Sequence, residues 1–109
     1  KLFNAIAAIT VIGASFVAAS PAQARNGWIK VGTSGNGRIH HSIKPRGCSG
    51  SMCFADVRVS GKNRTYTAQY DCQDWYWRGV AVDGEEHKTQ WLPILPASVA
   101  ESNAEIACR

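Results

Sequence analysis

The chain carries four cysteines, Cys48, Cys53, Cys72 and Cys108, and none before position 48. An even cysteine count in a short exported chain predicts two disulfides. A zinc site competes with that reading and is the weaker one. No C-x-x-C pair occurs, and no histidine is spaced near a cysteine pair as structural zinc sites require. The export half of the argument comes from the N-terminus. Lys1 is followed by an apolar, small-residue run from Leu2 to Ala19 with no acidic residue, and Ala22-Gln23-Ala24 fits an A-x-A cleavage site. These features predict a signal peptide over 1–24 and a single mature domain over 25–109, secreted or periplasmic. The run is broken by Gly13, Ser15, Ser20 and Pro21 and falls short of the ~20 strongly apolar residues a membrane span needs. The mature form is therefore predicted to have no membrane span, and with no cysteine after the run, no lipid attachment. A domain of this size is near the point where a core alone is marginal, so covalent staples matter to it.

The stretch around which the rest is organised is Tyr66 to Asp83, which holds a cysteine and two strand-like runs back to back. Before it, Trp28 to Thr33 and Arg38 to Lys44 flank a Ser-Gly-Asn-Gly turn and read as a hairpin, with Ile39, His41 and Ile43 on one face. Pro45 to Ser51 is predicted to break the pattern. From Cys53 to Val59 the alternation is clean, with Cys53, Ala55, Val57 and Val59 inward and Phe54, Asp56 and Arg58 outward. Gly61 to Arg64 is a turn, after which Tyr66, Ala68, Tyr70 and Cys72 alternate with polar residues to complete a second hairpin. Trp75 to Val82, the Asp83-Gly84 turn and His87 to Trp91 predict a third.

The period then changes. Two prolines in Leu92-Pro-Ile-Leu-Pro96 suit an extended crossing segment rather than a central strand. Ser98-Val-Ala-Glu101 fits a capping box, and Val99, Asn103, Ile106 and Ala107 recur at helical spacing. A stripe this narrow is stable only when packed on something larger. The predicted fold is thus α+β: an antiparallel sheet of about six strands arranged as hairpins, with a C-terminal helix packed on it.

Tyr70-Asp71-Cys72, the segment from Trp91 through Glu101 and the terminal Ala107-Cys108, in that order, resemble the surface-adhesin E family of small exported bacterial proteins. The resemblance covers about residues 64 to 109. It implies a curved antiparallel sheet with the C-terminal helix packed on it, a link between Cys72 and Cys108, and a role in binding extracellular proteins. The chain differs from that family in lacking a lipid-attachment cysteine and in having the additional pair Cys48 and Cys53. With the need of the short helix for an anchor, the resemblance favours Cys48 to Cys53 and Cys72 to Cys108. A rival pairing stays open, because aligning Val59 with Tyr66, Val57 with Ala68 and Ala55 with Tyr70 sets Cys53 opposite Cys72.

Sequence carries less information on chemistry. Trp75 and Trp77 share a strand face and form a candidate binding platform with Arg78 beside it, although aromatic pairs in so small a domain are more often core. His87 with Asp83, Glu85 and Glu86 is the candidate for a small secreted hydrolase or metal-dependent enzyme, and His40 and His41 point to opposite faces of their strand. Asp83 to His87 reads more simply as a polar turn. The Cys48 to Cys53 loop, preorganised by closure, would suit a secreted inhibitor. Twelve Lys and Arg stand against eight Asp and Glu, a net +4. Lys30, Arg38, Lys44, Arg46, Arg58, Lys62 and Arg64 concentrate the positive charge in the first half, which suits an anionic polysaccharide. Export argues against a nucleic-acid partner. The reading that follows is a non-catalytic binding or surface-interaction module without a cofactor, its partner an extracellular protein or an anionic polysaccharide.

Overall fold

Period-two alternation through the middle of the chain builds an up-and-down antiparallel sheet, and the late change of period adds one helix. The computed structural model describes residues 17–18, 24–25 and 27–109. The predicted signal peptide over 1–24 therefore lies almost wholly outside the described residues. The strands are β1 (Val17–Ala18), β2 (Ala24–Arg25), β3 (Trp28–Ser34), β4 (Ile39–Ser49), β5 (Met52–Val59), β6 (Thr65–Asp71), β7 (Tyr76–Val82), β8 (Glu85–Glu86) and β9 (Leu92–Pro93), and the helix is α1 (Val99–Ala107). They pair in the order β1-β3-β4-β5-β6-β7-β8, with β2 also on β3 and β9 also on β7. Every pairing is antiparallel. The body of the sheet is β3 to β7, and the four two-residue strands extend its edges.

One face of that body is the core. Val31, Ile43, Cys53, Ala55, Ala68 and Tyr70 project from β3 to β6 and meet Ile94 and, from α1, Ala104 and Ala107. The helix packs across β3, β4 and β5. Ser98 caps it by accepting a hydrogen bond from the Glu101 N–H at 3.1 Å, while Glu101 reaches back to accept from the Ala97 N–H at 2.8 Å. That is the predicted capping box, with the glutamate reaching one residue beyond the cap. The disulfides are Cys48–Cys53 and Cys72–Cys108.

The structure corrects several details. Pro45 to Ser51 does not break the pattern: β4 runs through to Ser49, and the register shift between Pro45 and Gly47 absorbs the missing proline N–H as a bulge. The Cys48–Cys53 loop is the end of this hairpin, with Ser49 opposite Met52 and Gly50 at φ +63. In the second hairpin Val57 faces Tyr66, Ala55 faces Ala68 and Cys53 faces Tyr70, two residues away from the aligned register. A wider turn, with the Lys62 N–H bonded to the Val59 carbonyl, leaves Val59 beyond the ladder. The third hairpin keeps its Asp83-Gly84 turn, both residues at positive φ as a two-residue hairpin turn requires. Its return strand stops at Glu86, and 87–91 is irregular before β9 pairs again with β7. Trp75 precedes β7 at φ +65 and is not part of the strand. Ile39, expected inward, is 39% exposed at the start of β4 beside the Gly35 to Arg38 turn.

Candidate functional site

Alternation on the core side of β5, β6 and β7 continues past the area that α1 covers, and the uncovered part is concave. A cavity of about 590 Å³ lies there. Its floor is Val57, Tyr66, Ala68 and Tyr70 from β5 and β6, with Trp77, Gly79 and Ala81 from β7. The β6–β7 register slips between Thr67 and Ala68, where β7 carries one extra residue, and Thr67 is also among the lining residues. One wall is the helix, through Val99, Ala100 and Asn103, and another is the irregular return segment, through His87, Thr89 and Leu92. That segment stands against β7 by backbone bonds from the His87 and Thr89 N–H groups to the Val80 and Gly79 carbonyls. Among the described residues, no Asp, Glu, Lys or Arg lines the cavity.

Its polar points are few. His41 lines the cavity from β4, and its Nε2 lies 3.0 Å from Ser34 Oγ. Burial, with the neighbouring His40 as a lesser cause, holds its pKa below the ordinary value of 6.5 and favours the neutral ring. Burial pushes the Tyr70 hydroxyl up, against the opposite pull of a side-chain hydrogen bond with Asn103. Asn103, only 5% exposed, leaves its Oδ1 without a hydrogen bond from any described residue. A buried amide oxygen in that condition is uncommon, and it marks this wall as the place where a donor is wanted.

Of the predicted binding residues, Trp75 and Trp77 pack against the same core and Arg78 is set apart from them. Trp75 packs against the core, Trp77 lines the cavity, and Arg78 lies on the opposite face, where its Nε donates to Gln69 Oε1 at 2.9 Å and its guanidinium sits 4.5 Å from the Trp91 ring centre. His87 reaches the cavity without its carboxylates. Asp83 Oδ1 accepts from the Thr65 N–H at 2.9 Å, and Glu86 pairs with Lys88 at 3.3 Å. Two of the clustered cations are also engaged, Arg46 with Asp56 at 2.7 Å and Arg58 over the Trp28 ring at 3.9 Å. The polar concavity on the opposite face centres on Arg46, Asp56 and Asp83.

Among the described residues, Cys53, Cys72 and Cys108 are the one group of three or more metal-ligating side chains whose donor atoms converge, and all three are disulfide-bonded. No described helix is long and apolar enough to cross a membrane. Two disulfides accord with an oxidising compartment. Of the cavity residues, Asn103 belongs to the helical spacing of Val99, Ile106 and Ala107, whereas Thr89 falls in the expected return strand and Leu92 in the proline-broken segment, neither of which marks a site. No family model, curated protein or solved structure matches the chain.

Proposed function

We propose that the chain is a non-catalytic, exported binding module that holds an uncharged, apolar small molecule in the concave cavity. The observation that carries the proposal is the cavity itself, about 590 Å³ with aromatic and aliphatic walls and no formally charged residue among them. Its volume lies within the roughly 300 to 1,000 Å³ of small-molecule sites, which combine apolar walls with a few placed polar groups. A charged ligand would enter without a counter-charge, and an unpaired charge in an apolar site is strongly disfavoured. Trp77 and Tyr66 supply ring surface, and Asn103 Oδ1 supplies an acceptor for one donor on the ligand. The surface-adhesin E resemblance supports export and binding in general. A small apolar ligand takes the place of an extracellular protein or anionic polysaccharide as the first partner to test.

The test is fluorescence titration with N-phenyl-1-naphthylamine, an uncharged apolar amine, at low and at moderate salt. Saturable one-to-one uptake that is insensitive to salt is expected, because no charge pairing contributes. Absence of saturable uptake for this and other neutral apolar probes, with salt-sensitive retention on an anionic polysaccharide, would overturn the proposal in favour of the basic surface.

A further inference from the structure

The two disulfides are not separate staples. Cys72 Sγ lies 3.4 Å from Cys53 Sγ, although the two belong to different bonds, and the sulfurs of Cys53, Cys72 and Cys108 all lie within 4.8 Å of one another. Cys48 Sγ is 3.6 Å from the Ala107 carbonyl oxygen, so both bonds meet at the C-terminal end of α1. Exposure is graded across the cluster. Cys48 is exposed, Cys72 and Cys108 are half-buried, and Cys53 is 3% exposed.

We propose that the four sulfurs form one exchange site, in which a thiol that opens Cys48–Cys53 from outside passes the break inward to Cys72–Cys108 and unlatches the helix that walls the cavity. The co-reactant is a small thiol or a dithiol oxidoreductase. Its thiolate attacks Cys48 Sγ, the mixed disulfide forms, the Cys48–Cys53 bond breaks, and the electron pair leaves on Cys53. The Cys53 thiolate is then already in contact with Cys72. It attacks that sulfur, a Cys53–Cys72 bond forms, the Cys72–Cys108 bond breaks, and Cys108 leaves as a thiolate that takes a proton from water. The second step conserves the number of disulfides and consumes no reductant.

The consequence for the cavity rests on the binding reading above. Val99, Ala100 and Asn103 form its helical wall, and Cys108 is the covalent hold on that helix. A helix of nine residues does not persist without its tertiary contacts. Exchange leaves the helix its packing alone, without the covalent hold at its end, and would loosen this wall and release the ligand.

The test is non-reducing peptide mapping after thiol blocking with a maleimide. In the intact protein exposed to a trace of reduced glutathione, the expected products are a glutathione mixed disulfide on Cys48, a Cys53–Cys72 link and a blocked Cys108. A mixed disulfide on Cys48 with Cys72–Cys108 intact and Cys53 blocked would overturn the exchange. The Cys48→Ser variant provides a second measurement without added thiol, with the same Cys53–Cys72 link and free Cys108 expected. The control is Cys48→Ser with Cys53→Ser, which keeps Cys72–Cys108 and should take up the naphthylamine probe saturably, whereas Cys48→Ser alone should lose that uptake. Equal uptake by the two variants would overturn the coupling to the cavity. Failure of the intact protein to take up the probe at all would count against the cavity and leave the exchange map standing.

Discussion

Asp56 shows how one residue can obey its strand period and still be buried. It points to the face opposite the core, as alternation predicts, yet it is only 8% exposed, because Arg46 Nη1 donates to its Oδ2 and Thr67 Oγ1 to its Oδ1, at 2.7 and 2.9 Å. The partner side chain is more than half exposed, so solvent screens the ion pair, and the hydrogen bond from the Thr67 hydroxyl to the carboxylate carries much of the effect. Asp56→Ala should destabilise by about 1 to 2 kcal/mol, since it leaves the Thr67 hydroxyl without its acceptor. Urea unfolding measures this, and a change within ordinary surface variation would show that the network is dispensable. His41 makes a prediction about pH. Its folded pKa lies below the unfolded 6.5, so below that value the unfolded chain binds more protons than the folded one. The contribution is complete above the unfolded pKa and declines as pH falls through it. The urea midpoint should be lower at about pH 5 than at about pH 7.5, and His41→Gln should flatten that difference.

At the scale of elements, the helix depends on what holds its two ends. Ser98 satisfies an N-terminal N–H, and Ser98→Ala should cost about 1 kcal/mol, read as a lower urea midpoint at unchanged slope. The other end is held by Cys108. The Cys72–Cys108 link spans a sequence separation of 36 and the Cys48–Cys53 link one of 5. On the chain-entropy account these are worth roughly 3 to 4 and about 2 kcal/mol. Because single cysteine variants leave a thiol beside another bond, the two links are compared by paired replacement. Cys72→Ser with Cys108→Ser should lower the melting temperature more than Cys48→Ser with Cys53→Ser, and far-ultraviolet circular dichroism should show helix lost only in the former. Helix retained in both would mean that the helix is held by packing alone.

For the whole molecule, the cavity exists because a nine-residue helix cannot cover a face built by five long strands. The helix lies over β3, β4 and β5, Ala68 and Tyr70 of β6 are already buried, and the apolar side of β7 with the Tyr66 end of β6 is only partly covered. Ala100 lies on the helical wall, so Ala100→Phe would place a ring in the space without disturbing the helix period. This variant should abolish naphthylamine uptake while shifting the urea midpoint little. Retained uptake would place the probe elsewhere, with the exposed rings Tyr76 and Trp91 the next surface to examine.

Much of the fold was legible from local chemistry, and the candidate site was not. Strand faces follow from a two-residue period, so Ala55, Ala68 and Tyr70 could be assigned to the core. The helix start follows from Ser98 and Glu101, and the sharp third turn from Asp83-Gly84, because these are local hydrogen bonds and dihedral preferences. The disulfide partners lay at the limit of such reasoning, since local alignment also allowed Cys53 to face Cys72. Tertiary structure separated the alternatives. The wide turn after Val59 moved the register by two, which preserved every strand face while placing Tyr70 opposite Cys53. A shift by two is invisible to periodicity. The cavity is likewise a property of coverage. Whether Trp77 is core or wall is decided by where a helix distant in sequence comes to rest, and no spacing within the strand records that.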